Sequence, residues 1–131
     1  MISERTPEGN GHEMTDNNCI FCKIARGDLP SKKLYEDDDM LAFHDINPVA
    51  PVHFMVIPKV HLASFADVKP EHAGLFGRIM TRIPQLAAAE GLKDGWRTII
   101  NTGRVGRQDV YHIHIHVIGG PNPLGPMILR T

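Results

Sequence analysis

The segment that most constrains the fold is residues 111–118, with the sequence Tyr-His-Ile-His-Ile-His-Val-Ile. Apolar residues alternate there with period two, which predicts a β-strand with two different faces. One face carries the side chains predicted to enter a core: Tyr111, Ile113, Ile115 and Val117. The other carries three imidazoles: His112, His114 and His116. Glycine and proline at 119–121 predict the end of the strand, because neither extends a strand well.

Three imidazoles on one face of a strand crowd three titratable rings, which favours their neutral forms near pH 7. A lone histidine is most often a satisfied or solvated side chain, whereas clustered histidines are typical of functional sites. The residues alone leave two functional interpretations open. One is a metal site, and the other is a nucleophilic or acid–base site.

Length and charge limit the classes of function. A chain of 131 residues suits one domain with a single core. A formal net charge of -1 gives no electrostatic reason to expect nucleic acid or a membrane surface as a partner. No apolar run approaches a membrane span, and residues 1–8 lack the apolar region of a signal peptide. We therefore expect a cytoplasmic protein, in which Cys19 and Cys22 are thiols or metal ligands rather than a disulfide.

The chain divides into a flexible N-terminal arm, residues 1–16, and a single domain, residues 17–131. A short helix is predicted over Cys19–Arg26, capped by Asn17 or Asn18 and ended by Gly27. A long helix is predicted to open at 67–70 and to end at Gly91, with Pro84 kinking it. Besides the histidine strand, four strands are predicted: Lys33–Glu36, Met40–His44, His53–Ile57 and Trp96–Asn101.

This order of elements predicts an α+β fold, a five-stranded antiparallel sheet with one long helix and one short N-terminal helix. The long helix has an apolar stripe, which we interpret as core. The helix should cover the sheet face that bears Ile113 and Ile115. The histidine face should then point at a cleft.

The segment His112–Ile118 resembles the histidine triad motif, in which three histidines alternate with apolar residues. Residues 41–48 and 53–61 resemble earlier motifs of the same superfamily, and the similarity runs from about Cys19 to Met127. Within the superfamily the chain is most similar to the Hint branch of purine nucleoside phosphoramidases, and its ending resembles bacterial members. The branch of dinucleoside polyphosphate hydrolases is a weaker match.

The resemblance implies a hydrolase acting on purine nucleoside monophosphate derivatives, such as AMP, GMP and their phosphoramidates. In the family, the residue matching His114 attacks phosphorus and forms a covalent nucleotidyl-histidine, which water hydrolyses. A neutral imidazole is a competent nucleophile for that step. His116 and His53 match positions that contact the phosphate and assist the leaving group.

The same resemblance implies the nucleotide-binding residues. Asn101, Gln108 and Asp109 match the loop that reaches the phosphate and leaving group, and Asp45 matches the carboxylate that accepts from ribose hydroxyls. An apolar pocket for the purine is formed by the matches Ile20, Phe21, Ile24, Phe43 and Ile46. Two positions depart from the pattern. Arg107 stands where glycine is common, and Asp109 stands where some members have serine.

Cys19 and Cys22 have three interpretations: packing of a short helix, a redox pair, or two ligands of a zinc site. The resemblance favours structural zinc, because His61 and His112 match the positions that complete a Cys₂His₂ site in zinc-bearing relatives. No organic cofactor is expected.

Other hypotheses stay open. The protein could be a dinucleoside polyphosphate hydrolase, a non-catalytic nucleotide-binding regulator, or a zinc enzyme with His112, His114 and His116 as its three ligands. The resemblance also implies a homodimer with one continuous ten-stranded sheet, formed through the long helix and the fourth strand.

Overall fold

The structure is a computed structural model and describes residues 17–129. The predicted arm at 1–16 lies outside these residues, as do the last two residues of the predicted domain. The described residues contain two α-helices, α1 at Ile20–Arg26 and α2 at Ala73–Ala89. The strands are β1 at Lys33–Glu36, β2 at Met40–His44, β3 at Val52–Pro58, β4 at Arg97–Ile100 and β5 at Ile115–Gly119. Short 3₁₀ turns at Phe65–Asp67 and Pro70–His72 precede α2.

The strands form one sheet in the order β1-β2-β3-β5-β4, and all neighbours are antiparallel. This confirms the predicted five-stranded α+β fold. The last strand, β5, lies inside the sheet between β3 and β4, whereas β1 and β4 are its edge strands. Between residues 17 and 129, neither helix has both the length and the apolar character needed to cross a membrane.

The predicted start of the histidine strand at Tyr111 is wrong, since β5 begins at Ile115 and Tyr111 is exposed rather than facing the core. The β3–β5 ladder starts from the pair Val56–Ile115. Two residues beyond Val56, Pro58 lacks the N–H that a continuing ladder would need. Its carbonyl instead accepts a hydrogen bond from Nε2 of His112 at 2.8 Å. The residues directly before Ile115 therefore do not pair with β3.

The long helix covers the sheet face that bears Ile115, as predicted, whereas Ile113 precedes β5 and is buried outside the cluster beneath this helix. Buried α2 side chains, among them Ile79 and Ile83, pack with residues of β2, β3 and β5 that include Ile115 and Val117. The helix starts at Ala73, three residues later than Pro70, and continues through Pro84. The opposite face carries a second apolar cluster of buried residues: Phe21, Leu41, Phe43, Met55 and Ile57.

The short helix is capped by Cys19, so the predicted capping by Asn17 or Asn18 is wrong. The Sγ of Cys19 accepts a hydrogen bond from the Cys22 backbone N–H at 3.3 Å. Gly27 ends the helix with φ 88, a left-handed conformation that glycine adopts without strain, as predicted. Because α1 lies over the second apolar cluster, the cap also places both cysteines close to His112.

Candidate active site and metal centre

The three histidines of the motif divide between two clusters. The His114 and His116 rings are neighbours, with centroids 5.0 Å apart, and His116 also faces His53 across β3 and β5 at 5.1 Å. The His112 ring instead faces His61 at 5.1 Å. The alternating sequence thus builds two adjoining sites rather than one row.

The orientation of His114 is set by its own backbone neighbourhood. Its Nδ1 lies 2.8 Å from the carbonyl oxygen of His112, so Nδ1 is the donor and carries a proton. In the neutral ring this leaves the lone pair on Nε2. Nε2 lies 3.1 Å from Oδ1 of Asp109. The ring is buried and stacks edge-on against Phe21, with centroids 5.1 Å apart.

A chain of hydrogen bonds sets the tautomers of His53 and His116. The Val49 backbone N–H donates to Nδ1 of His53 at 3.1 Å, so the proton of a neutral His53 ring is on Nε2. This Nε2 lies 2.9 Å from Nδ1 of His116 and donates to it. A neutral His116 therefore holds its own proton on Nε2 and offers it to the site as a donor.

Burial favours the neutral forms of the His53 and His116 rings. Loss of solvent lowers the pKa of His53, although the nearby Asp45 carboxylate acts in the opposite direction. Burial also lowers the pKa of His116, and His114 and His53 add to the effect. Asp45 places Oδ2 at 3.3 Å from Nε2 of His53, while its Oδ1 accepts from the Asn47 N–H at 2.8 Å.

The loop before β5 is anchored by Gln108. The Gln108 amide accepts from the Gly103 N–H at 2.9 Å and donates to the carbonyls of Ala63 and Val110 at 2.7 and 2.9 Å. Its polar atoms are thus engaged by backbone, and its expected contact with a nucleotide stays a prediction. Asn101 is half-buried directly after β4.

Arg107 has φ 62, a left-handed conformation that glycine adopts more readily than other residues. It lies between the left-handed turn at Gly103 and the anchored Gln108. Asp109 follows directly, with an exposed side chain.

A mostly apolar cavity of about 570 Å³ opens beside α1 and β2. All six residues predicted for the base and ribose line it: Ile20, Phe21, Ile24, Phe43, Asp45 and Ile46. Sequence reasoning missed the remaining lining residues: Leu29, Pro30, Ser31, Lys32, His44 and Met55. Met55 could have been found, because it shares the period-two face of His53; the loop residues 29–32 carry no periodic signal.

The cysteines, His61 and His112 form a compact cluster. Cys19 Sγ lies 3.3 Å from Nδ1 of His112, and Cys22 Sγ lies 3.3 and 3.5 Å from Nδ1 of His61 and of His112. All four ligating atoms fall within 4.8 Å of one another. A hydrogen bond from Cys22, with further ones from His112 and His61, holds the pKa of the Cys19 thiol well below its usual range although burial opposes it.

The residues of this cluster fit a tetrahedral metal. The hydrogen bond from Nε2 of His112 to the Pro58 carbonyl places the ring proton on Nε2 and leaves the Nδ1 lone pair directed at the cysteines. Two sulfurs and two imidazole nitrogens are the donor set of structural zinc sites.

A second converging group, Asp45, His53 and His116, does not fit a metal in the same way. Because Nδ1 of His53 accepts from Val49, its Nε2 carries the proton and has no lone pair for a cation. Among residues 17–129, neither converging group of ligating side chains includes His114. The hypothesis of His112, His114 and His116 as three ligands of one metal is therefore wrong.

Comparison with known proteins gives matches over most of the chain. Residues 18–126 match the family model described as "Scavenger mRNA decapping enzyme C-term binding". The chain is 47% identical over 110 residues to the purine nucleoside phosphoramidase of Escherichia coli (strain K12), which covers 83% of this chain and 92% of that protein.

Two solved structures are similar to this chain in both sequence and fold. A HIT family hydrolase from Legionella pneumophila Philadelphia 1 is 45% identical with a TM-score of 0.80, covering 83% of this chain and 98% of that one. A Zn-bound histidine triad family protein from Mycobacterium smegmatis is 38% identical with a TM-score of 0.70, covering 81% and 77% of the two chains. Residues 18–126, which the family model matches, contain both helices, all five strands of the sheet and both clusters.

Proposed function

The chain belongs to the histidine triad family, and from this premise we propose that it hydrolyses purine nucleoside phosphoramidates or related adenylates through a nucleotidyl-histidine intermediate. The observation that carries the proposal is the hydrogen bond from Nδ1 of His114 to the His112 carbonyl. It leaves the lone pair of a neutral ring on Nε2, and the ring packs edge-on against Phe21, which lines the apolar cavity. The name of the E. coli relative, purine nucleoside phosphoramidase, supports a P–N bond as the target.

In the first step, Nε2 of His114 forms a bond to phosphorus while the P–N bond of the substrate breaks. The electron pair of that bond goes to the leaving nitrogen. In the second step water breaks the P–Nε2 bond and releases His114. Over the two steps one water supplies a proton to the amine and a hydroxyl to phosphorus, so the ring of His114 is regenerated.

His116 stabilises the charge on the phosphoryl oxygens. Its ring proton is placed on Nε2 by two successive hydrogen bonds, from the Val49 N–H to His53 and from His53 to His116. A donor fixed before the reaction contributes more than one that must reorient, because it costs no reorganisation when charge develops. His53 acts in this scheme as a positioning residue for His116.

The cavity beside α1 and β2 takes the nucleoside. Its apolar walls, including Ile24 and Phe43, suit a purine ring, and its volume of about 570 Å³ is in the range of nucleotide-sized sites. Asp45 lies on the side of the cavity nearest His53 and supplies two acceptor oxygens for a ribose diol.

The proposal is tested by incubating the purified protein with adenosine 5′-phosphoramidate and following release of AMP. His114→Ala should abolish turnover while AMP still binds, and mass spectrometry of wild-type protein quenched in denaturant at alkaline pH, where a P–N bond to imidazole survives, should find one nucleotidyl adduct on His114. A wild-type protein that binds AMP without turnover would support the non-catalytic regulator instead. Faster cleavage of dinucleoside polyphosphates than of phosphoramidates would support the other hydrolase class.

We also propose that Cys19, Cys22, His61 and His112 bind one structural zinc ion. The sulfur–nitrogen separations of 3.3–3.5 Å and the Zn-bound relative from M. smegmatis support this assignment. When bound, the metal would supply a cross-link between α1, the chain after β3 and the chain before β5. The two thiols are free of disulfides, which suits a reducing compartment such as the cytoplasm.

We further propose a homodimer that joins two sheets into ten strands. Strand β4 is the last in the order β1-β2-β3-β5-β4, so its outer edge has no strand neighbour within residues 17–129. On α2, Met80 is 43% exposed and Leu75 and Phe76 are only partly buried. Pairing about a two-fold axis would cover the strand edge and these apolar side chains together.

A further inference from the structure

The carboxylate of Asp109 lies directly against the proposed nucleophile. Its Oδ1 is 3.1 Å from Nε2 of His114. The His114 side chain is 2% exposed, whereas the Asp109 side chain is 76% exposed. The direction from Nε2 to the carboxylate therefore runs from the protein interior to solvent.

The Asp109 carboxylate and the substrate compete for the space in front of Nε2 of His114. The ionised carboxylate can accept a hydrogen bond only from a protonated Nε2. Attack on phosphorus instead needs the Nε2 lone pair, so the Asp109 contact must be replaced by the substrate before the reaction. In phosphoryl transfer the attacking and leaving atoms lie roughly in line on opposite sides of phosphorus. Once phosphorus occupies the position in front of Nε2, the leaving group must point outward, to the solvent side from which Asp109 approaches.

Asp109 cannot withdraw far from this position, because its neighbours are anchored. Gln108, directly before it, is tied to the backbone of Gly103, Ala63 and Val110. The Asp109 carboxylate itself accepts from the Val110 N–H at 2.9 Å. When displaced from Nε2, the carboxylate remains close to the leaving group.

The carboxylate stays ionised at neutral pH. Burial raises the pKa of Asp109, but the backbone N–H groups of Asp109 and Val110, together with His114, outweigh it and bring the pKa below its usual range. A fixed anion at this place attracts a leaving group with a positive charge and repels one with a negative charge.

We propose that Asp109 is a specificity-determining residue that favours cationic leaving amines and disfavours anionic leaving groups. The inference rests on the proposed function and names its substrate class, nucleoside phosphoramidates of diamines or other amines with a second, protonated nitrogen. The bonds formed and broken are those of the first step above, and the leaving nitrogen takes its proton from water. Asp109 remains a carboxylate throughout and exchanges no proton.

The test uses three adenosine 5′-phosphoramidates whose leaving amines have similar size and differ in charge. They are made from 1,2-diaminoethane (cationic), 2-methoxyethylamine (neutral) and glycine (anionic). The kcat/KM of each is measured for wild type, Asp109→Asn and Asp109→Ser. Asp38→Asn is the matched control, because Asp38 is an exposed aspartate on the turn between β1 and β2.

Wild type should prefer the cationic over the anionic substrate, and both Asp109 variants should reduce that ratio by about tenfold, the effect of roughly 1.4 kcal/mol of charge interaction. The wild-type preference should shrink as salt rises, since the carboxylate is solvent-exposed. Asp38→Asn should leave the ratio unchanged.

Equal changes for all three substrates in both Asp109 variants would overturn the inference, because they would indicate a role in folding or in positioning His114. An unchanged ratio in both variants would also overturn it. Either result leaves the proposed function standing as long as wild type hydrolyses the substrates. A wild-type protein that hydrolyses none of the three would overturn the proposed function and this inference together.

Discussion

His114 donates a hydrogen bond from Nδ1 to the backbone carbonyl of His112, two residues earlier, over 2.8 Å. The side chain of His112 points the other way, with Nδ1 at 3.3 Å from Cys19 Sγ and Nε2 at 2.8 Å from the Pro58 carbonyl. His112 thus belongs to the proposed zinc cluster through its side chain and orients the proposed nucleophile through its backbone. We expect the two sites to be coupled.

The first prediction concerns this coupling. Wild-type protein should bind about one zinc per chain, the stoichiometry of one tetrahedral site. Cys22→Ser should reduce bound zinc to a small fraction of that amount. It should also lower the thermal unfolding midpoint, because metal binding is linked to folding. Turnover below that midpoint should fall as well, since the His112 carbonyl would lose its fixed position.

Elemental analysis and thermal unfolding measure the first two effects independently of activity. Arg26→Ala is the control, because Arg26 is an exposed residue of the same helix. Wild-type protein that carries no zinc after metal-replete expression would contradict the prediction.

The second prediction concerns pH and His53. Its folded-state pKa is lowered, so the folded protein favours the neutral ring more than the unfolded chain does. The stability from this group is fully present above the unfolded value of about 6.5 and is lost as pH falls through the lower folded-state pKa. His53→Gln removes the titration but retains a side-chain amide donor near His116.

Urea unfolding at several pH values between 7.5 and 5 measures this effect. The free energy of unfolding of His53→Gln should fall less steeply with acid than that of wild type. The variant should keep more activity than His53→Ala, which has no donor for His116. Identical pH dependence of wild type and His53→Gln would argue that His53 is not held neutral.

The third prediction concerns Gln108. Its amide makes three hydrogen bonds to backbone in a buried position, so Gln108→Ala should cost about 2–4 kcal/mol in the free energy of unfolding. Gln85→Ala, on the exposed side of α2, should cost little. If the main role of Gln108 were to bind nucleotide, the substitution would raise KM and leave denaturant unfolding unchanged.

The fourth prediction concerns the mouth of the cavity. Ile46 is 89% exposed and lines the cavity, whereas Val49 is 74% exposed and lies outside its lining. Ile46→Ala should raise the Kd for AMP by about three- to tenfold through lost apolar contact with the base, without changing stability. Calorimetric titration should show no such change for Val49→Ala, and equal effects of both would remove Ile46 from the base site.

The fifth prediction concerns assembly. Light scattering at micromolar protein should report twice the chain mass. Met80→Lys should shift the mass toward the monomer, because a charge would be buried against the partner. Thr81→Lys, one position along the exposed surface of α2, tests whether any charge on this helix has the same effect. A monomer mass for wild type would defeat the dimer proposal.

Much of the fold was predictable because its elements have strong local signals. The period-two alternation around Ile115 and Val117 predicted the strand, and the apolar stripe of α2 predicted the helix. Together they predicted which face of the sheet packs against the helix. Gly27 ended α1 as expected, since only local backbone conformation matters there. The residues predicted for the base pocket also line one cavity, although their roles rest on the family resemblance.

Other features depended on contacts that no local pattern encodes. The ladder of β5 stops at Ile115 because Pro58, more than fifty residues earlier, offers no N–H to extend it. Gln108 turned out to be engaged by backbone from Ala63, a distant segment. Such pairings are set by which segments the fold brings together.

The sequence by itself determined the period-two histidine segment, the strand order along the chain and the apolar faces, because side-chain periodicity follows directly from backbone geometry. Only the tertiary structure decided that the histidines would separate, with His112 turned to the cysteines and His114 kept beside Asp109. The physical reason is that each ring nitrogen needs a partner. Those partners, Pro58, Val49 and Asp109 among them, come from three different parts of the chain.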